Sequence, residues 1–242
     1  MRRLLLAFSA FFLVPLASFA GDQASLQILG FSKDGNHFAF EQYGIQDGSG
    51  FPYSEIYVLD VKGDKWVKPS PFRRTDEVDE TQGYDPDRLL TETRSENRLA
   101  AQELLSGSGI AGKGEIVGHN PITELNANPF EMRVNPRFAI PAINGELTVS
   151  LSQFDLPDET CSGYGAETKG FRLSVSHAGQ TRTLHHDKIL PKSRGCALSY
   201  RIDRVVTYFP QDRLPVMAIF VHVSTLGFEG PDGRFIAITA PF

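Results

Sequence analysis

Strand-type alternation of apolar and polar residues covers most of the chain. From Leu26 to about Lys68 the alternation has a period of two, and Asp34-Gly35 interrupts it as a two-residue turn signal. Phe38 and Phe40 follow that turn and share one face of the next strand. This stretch therefore predicts an antiparallel unit of about four strands.

The period becomes helical only once. Apolar or small residues recur at helical spacing, with charged residues between them, at Leu89, Thr93, Ala100 and Leu104. Asp85 can cap the N-terminus of such a helix, and Gly107 stands where a C-terminal cap belongs. We predict one amphipathic helix near residues 86–105, with its Leu/Ala face on a sheet.

A glycine-rich segment, 107–118, follows this helix and is predicted to be a flexible linker. Its sequence GSGIAGKG (107–114) approaches a phosphate-binding loop but ends in Gly114, where Ser or Thr should hold magnesium. The segment also follows a helix instead of a strand, which is the wrong context for that motif. We expect no nucleotide or other cofactor here.

Strand periodicity returns after the linker. The predicted strands are 130–134, 138–143, 146–153, 171–177, 181–185, 200–208, 216–223 and 235–239. The segment 216–223 is apolar on both faces, so we expect it to be a central, buried strand. The fold class is therefore mainly β, with antiparallel sheets in a sandwich-like or partial propeller-like arrangement and one helix.

One internal similarity joins the two ends of the chain. LGFSKDGNHFAF (29–40) and LGFEGPDGRFIAI (226–238) match at six positions once a single residue is gapped. A propeller needs about four or more regularly spaced copies, and the periodic copies are missing. We favour a different β architecture in which the two ends pack together.

The first twenty residues have the pattern of a cleaved signal peptide. Two arginines precede an apolar run, 4–16, and small residues at 18 and 20 form a cleavage site before Gly21. The alternative is an uncleaved anchor, but the run is short for a membrane span. We expect one exported domain, 21–242, in the periplasm or released to the medium, with no later membrane span.

Charge and cysteine content fit this location. Removal of residues 1–20, which contain two Arg and no acid, takes the formal net charge from −5 to −7, which disfavours nucleic acid as a partner. An oxidising compartment favours a disulfide between the two cysteines, Cys161 and Cys196, over a pair of metal-binding thiols. This bond would hold residues 187–195 in place, with Arg194 on a constrained turn.

Few residues suggest chemistry. His185-His186-Asp187 is the one cluster with metal-ligand side chains, but adjacent strand residues point to opposite faces. No nucleophile elbow or zinc-protease helix motif occurs. We therefore assign no catalytic, cofactor-binding or metal-binding residue. The loop DGSGFPY (47–53) carries Phe51 and Tyr53 beside two glycines and is a possible contact loop, although both rings could instead be part of the core.

Three segments resemble a family of predicted secreted bacterial proteins that bears a domain-of-unknown-function label. They are FSKDGNHFAFEQYGIQDGSGFPYSEIYVLDV (31–61), DKILPKSRGCALSYRI (187–202) and GFEGPDGRFIAIT (227–239). The resemblance implies an exported protein without an assigned activity, and it supplies no catalytic residues. The first segment is also similar to single blades of TolB and WD40-like propellers, at the level of fold.

The leading functional hypothesis is a non-catalytic periplasmic binding or interaction protein, whose partner is an envelope protein or a small ligand. The alternative is a periplasmic hydrolase, with or without the help of a metal ion, that uses His185 or His186 with the carboxylates of 76–87. This alternative requires those two segments to meet in one cleft.

Overall fold

The computed structural model describes residues 21–79, 81, 83–142 and 144–242, and the predicted signal peptide lies outside them. In the described ranges the strands are, in chain order, β1 (Ser25–Ser32), β2 (His37–Ile45), β3 (Pro52–Asp60), β4 (Lys65–Trp66), β5 (Phe72–Thr75), β6 (Ile110–Lys113), β7 (Glu115–His119), β8 (Glu131–Val134), β9 (Leu147–Asp155), β10 (Lys169–His177), β11 (Gln180–His186), β12 (Ala197–Tyr208), β13 (Val216–Thr225) and β14 (Asp232–Pro241). The helices are α1 (Pro86–Gly107), α2 (Glu159–Gly163) and a short 3-10 helix (Lys192–Arg194).

The strands form three antiparallel sheets, which confirms the predicted fold class. The N-terminal sheet has the order β4-β3-β2-β1-β6, with β5 paired to β3. The central sheet has the order β14-β13-β12-β7, and the outer sheet has the order β11-β10-β9-β8. None of the three sheets is closed or arranged as a propeller blade array among the described residues.

The central sheet is packed on both faces. Ile219 of β13 belongs to an apolar cluster with Leu173 of the outer sheet, and its neighbour Phe220 belongs to a second cluster with Phe38 of the N-terminal sheet. Successive strand residues point to opposite faces, so β13 has to be apolar on both sides. All of residues 216–223 are buried, which confirms the prediction of a central strand.

Helix α1 covers the remaining face of the N-terminal sheet, but through polar residues. Its buried positions are Thr93, Asn97 and Ala101, whereas Leu99 and Ala100 are exposed. The helix lies where it was predicted, and of its predicted contact face Thr93 is buried and Leu89 and Leu104 are half-buried, but Ala100 is exposed. The helix also contacts the sheet through hydrogen bonds and ion pairs, which its sequence periodicity does not reveal.

The partner of this polar face is a carboxylate in the sheet. Glu41 of β2 is 0% exposed and accepts hydrogen bonds from Arg94 (2.9 Å) and Arg98 (2.5 Å). Burial opposes ionisation of Glu41, but the two guanidinium groups outweigh it and hold its pKa below the usual value. Asn97 adds a hydrogen bond from its amide to the Ser54 carbonyl (2.9 Å).

Two other local predictions are corrected. The segment 107–118 is not a flexible linker, because β6 pairs with β1 and β7 pairs with β12. Two of its glycines serve close packing: a Cβ on Gly114 would lie 3.0 Å from the Phe31 ring, and one on Gly118 would lie 2.5 Å from the Val134 side chain. The predicted strand 138–143 is absent at 138–142, where the chain instead bends at the cis bond before Pro141, and Ile143 lies outside the described residues.

The two similar segments at the chain ends lie in different sheets but meet, as favoured from the sequence. The first contains the β1–β2 hairpin, and the second leads into β14. Phe38 and Phe40 of the first segment share an apolar cluster with Ala237 of the second, and Gln23, just before the first segment, forms a parallel bridge with Gly233. The described chain contains no helix that is both long and apolar enough to cross a membrane.

Candidate functional site

A cleft of about 610 Å³ opens where the N-terminal sheet separates from the edge of the central sheet. Its walls are the outer half of β3 with the β3–β4 turn, strand β14, and the turn 191–195. The volume is within the usual range for small-molecule sites. The cleft is therefore the place in the described structure where a ligand could be enclosed by several elements.

One wall carries a hydrogen-bond network centred on Glu55. Its carboxylate accepts hydrogen bonds from Gln42 (2.7 Å), Tyr57 (2.6 Å) and Arg73 (3.0 Å). Burial, together with the negative charge of Glu55, raises the pKa of Tyr57, so that its hydroxyl stays protonated. These side chains are consequently fixed before any ligand arrives.

An aromatic pair extends this wall to the mouth of the cleft. The rings of Tyr57 and Trp66 lie 5.7 Å apart, and the Arg73 guanidinium lies 5.9 Å and 5.8 Å from their centroids. Trp66 nevertheless remains 47% exposed. The exposed indole, beside the fixed guanidinium of Arg73, can make a stacking or cation–π contact with a planar or cationic group of a ligand.

The opposite wall is the free edge of β14. Gln42 Oε1 accepts a hydrogen bond from the Phe235 N–H (2.8 Å), and Asp64 Oδ1 accepts one from the Thr239 N–H (2.8 Å). In an antiparallel ladder every second residue directs its N–H away from the neighbouring strand. The N–H of Ala237, which lies between those two residues and lines the cleft, therefore points in the same direction.

Asp64 supplies a carboxylate to the cleft from a tight turn. Its backbone is in the left-handed region (φ 48°), and its Oδ1 also accepts a hydrogen bond from the Thr239 hydroxyl (3.1 Å). Burial raises the pKa of Asp64, and the hydrogen bonds from Thr239, together with the electrostatic effect of the nearby His185, only partly oppose this rise. The carboxylate is thus held in a defined orientation at the base of the cleft.

The third wall is anchored by Asp187. This buried carboxylate accepts hydrogen bonds from Arg194 (2.6 Å), from His185 (2.8 Å) and from the Phe171 N–H (2.9 Å). Burial opposes ionisation of Asp187, but these hydrogen bonds outweigh it and lower its pKa. Arg194 is therefore held on a constrained turn, as the sequence predicts.

The disulfide between Cys161 and Cys196 secures the same turn and is present as predicted. It joins α2 to the residue before β12, with a Cα–Cα distance of 5.4 Å and a sequence separation of 35. Closing a loop of this length stabilises a fold by roughly 3–4 kcal/mol on the loop-entropy estimate. The bond therefore fixes the end of the cleft wall as well as the fold.

The predicted contact loop lies elsewhere. Tyr53 is buried in β3, where its hydroxyl donates a hydrogen bond to Asp22 (3.0 Å) and its ring lies under Arg234. Phe51 is half-buried at the start of that strand. Of the two rings, only Phe51 remains available to solvent, and a contact role for the loop stays a prediction.

The histidines and the acidic segment of the hydrolase alternative have separate partners. His185 contacts Asp187 and Arg194, while His186 lies edge-on to Phe154. In the acidic segment, Asp76 accepts hydrogen bonds from Arg74 and Thr93. Asp85 caps α1, as the sequence predicts. The described residues contain no cluster of three or more His, Cys, Asp or Glu side chains suited to a metal ion.

Comparison with known proteins places the chain in a family. A family model described as "Predicted secreted protein (DUF2259)" matches residues 39–240, so the chain belongs to this family. The description supports export, states no activity and gives no support to a TolB or WD40-like blade. Searches of curated proteins and of solved structures return no match.

Proposed function

We propose that the protein is an extracytoplasmic, non-catalytic binding protein that holds a small polar ligand in the cleft between β3, β14 and the turn 191–195. The observation that carries this proposal is that the polar side chains around the cleft are already fixed by one another. Glu55 has three donors and Asp187 has three donors, so neither has to be reoriented on binding. Such preorganisation lowers the entropic cost of association.

The edge of β14 favours a small ligand over an added peptide strand. Strand addition needs a continuous row of free backbone groups. Here Gln42 and Asp64 already occupy the N–H groups of Phe235 and Thr239, which leaves only the short stretch around Ala237. Side chains that cover a strand edge in this way protect it from pairing with another chain.

The test uses Trp66 as an internal reporter, because it is the single tryptophan in the chain. The exported protein is screened against a library of small amines, sugars, carboxylic acids and short peptides while Trp66 emission is recorded. Native mass spectrometry then checks each active compound for binding of one molecule per chain. We expect at least one class to bind and to remain chemically unchanged after long incubation.

A pair of matched variants localises the binding. Ser193 is exposed and lines the cleft, whereas Ser106 is exposed on α1. Ser193→Phe should narrow the cleft and abolish the emission change, and Ser106→Phe should leave it intact. Equal binding by both variants would place the ligand elsewhere, and conversion of a bound compound to product would contradict a non-catalytic role.

A further inference from the structure

The charges of the cleft, counted together with the ion-pair partners of its arginines, do not balance. Each of its three arginines has an acidic partner: Arg73 pairs with Glu55 (3.0 Å), Arg194 with Asp187 (2.6 Å) and Arg234 with Asp22 (2.6 Å). Asp64 has no arginine or lysine partner in the described part of the chain. An anionic ligand would therefore meet arginines that are already neutralised, together with one carboxylate that would repel it.

The free part of the Asp64 carboxylate is well defined. Oδ1 takes both hydrogen bonds from Thr239, and Oδ2 receives none from the described residues. Asp64 is half-buried, and a carboxylate oxygen that is left open to the cleft can accept a hydrogen bond from a charged donor, which also pairs the charge. The nearby His185 favours the ionised form of Asp64, but its Nε2 is hydrogen-bonded to Asp187.

Two further groups near Asp64 suit the same ligand. Trp66, two residues along the chain, presents an exposed indole whose ring face attracts cations. The N–H of Ala237 points into the cleft from β14 and can donate to an oxygen atom. Asp64 and Trp66 together match an ammonium group, and the N–H of Ala237 can serve a hydrogen-bond acceptor where the ligand carries one.

We infer that the ligand is a small organic ammonium compound, whose charged nitrogen donates to Asp64 Oδ2 beside Trp66. This inference rests on the proposed binding function and gives it a chemical class. Commitment to an ammonium group separates it from two other classes: neutral polyols, which would use hydrogen bonds without charge, and carboxylic acids, which would have to use the arginines.

The experiment compares three probes of the same length and different charge. Cadaverine carries two ammonium groups, pentanediol is neutral and glutarate carries two carboxylates. Binding to the exported protein is measured by Trp66 emission and by calorimetry at low ionic strength. We expect cadaverine to bind about tenfold to a hundredfold more tightly than pentanediol, as is typical of a hydrogen bond to a charged group, and glutarate to bind most weakly.

A pair of matched Asp variants tests the position of the nitrogen. Asp64→Asn keeps an oxygen for Thr239 but removes the charge, and should weaken cadaverine binding by about tenfold or more. Asp212 is exposed, lies outside the cleft and shares the left-handed backbone of Asp64 (φ 56°). Asp212→Asn should therefore leave the affinity unchanged.

The outcomes separate this inference from the proposed function. If pentanediol or glutarate binds as tightly as cadaverine or more tightly, the ammonium assignment is overturned. If the binding of that compound is then lost in Ser193→Phe, the cleft is still supported as the binding site. Cadaverine binding that is insensitive to Asp64→Asn would also overturn the assignment. Absence of cadaverine binding, with hits from another class in the screen, would reject the ammonium group and retain the cleft.

Discussion

The two faces of the central sheet use the same strands for different purposes. The face toward the outer sheet is closed by aliphatic and aromatic residues across the middle of β13, among them Ile219 and Val221. The face toward the N-terminal sheet is apolar around Phe220 but opens at β14, where Gln42, Asp64 and Arg234 replace apolar contacts. The comparison indicates that one face mainly stabilises the fold and the other mainly shapes the cleft.

The closed face should show the largest effect on stability. Ile219 is 0% exposed, and Ile219→Ala removes buried methyl and methylene groups and leaves a cavity between the central and outer sheets. We expect a loss of about 3–4 kcal/mol in the free energy of unfolding, measured by urea denaturation monitored by circular dichroism. The affinity of the folded variant for a cleft probe should change less than twofold. A loss below about 1 kcal/mol would show that this interface is not tightly packed.

The open face should show the pH dependence. His222 of β13 is 5% exposed, and burial lowers its pKa to about 4, with Arg201 and Arg234 adding to the effect and Asp203 opposing it. Between about pH 6.5 and pH 4 the unfolded chain binds a proton that the folded His222 does not. The folded state should therefore lose about 3 kcal/mol as the pH falls through this window, and should keep its full stability above it.

The variant His222→Gln isolates this contribution. Carboxylates with lowered pKa values, such as Asp187 and Glu41, affect both proteins in the same way. The difference between the two plots of unfolding free energy against pH should therefore report His222 alone. Parallel plots for the two proteins would contradict the assignment.

The mouth of the cleft should show the smallest effect on stability. Trp66 is nearly half exposed and belongs to a two-residue strand, so Trp66→Ala should change the free energy of unfolding by less than about 1 kcal/mol. The same change should weaken binding of an ammonium probe severalfold in calorimetry, because the ring face is lost. A large loss of stability without a change in affinity would contradict this prediction, because Trp66 would then stabilise the fold and not the bound ligand.

Sequence periodicity could predict the closed face of the central sheet but not the packing of helix α1 on the N-terminal sheet. The doubly apolar run of β13 predicts a central strand because each residue of a buried strand has to be apolar on its own side. The buried positions of α1 are different, since Thr93 and Asn97 face the sheet while Leu99 is exposed. Hydrophobic periodicity depends on apolar residues, so it does not predict a helix that contacts its sheet through arginines and a buried glutamate.

The cleft could not be predicted from the sequence, because its walls come from segments that are far apart along the chain. Its walls come from residues near 55–73, 185–195 and 223–238, which no local pattern connects. Asp64 appears as an ordinary turn residue and Trp66 as the first residue of a strand until β14 is placed beside them. A lone tryptophan next to a turn carboxylate is the one local signal that could have drawn attention to the site.

The walls of the cleft are far apart in sequence, so the cleft can form only after nearly the whole chain has been synthesised. Asp22 and Arg234 are 212 residues apart, and Gln42 meets Phe235 across 193 residues. The N-terminal sheet can pair its own strands early, but Gln42 and Asp64 have no strand edge to bind until β14 has been made. A chain interrupted before residue 232 would contain most of the apolar interior and no recognition surface. The proposed ligand capture would therefore depend on the completion of β14.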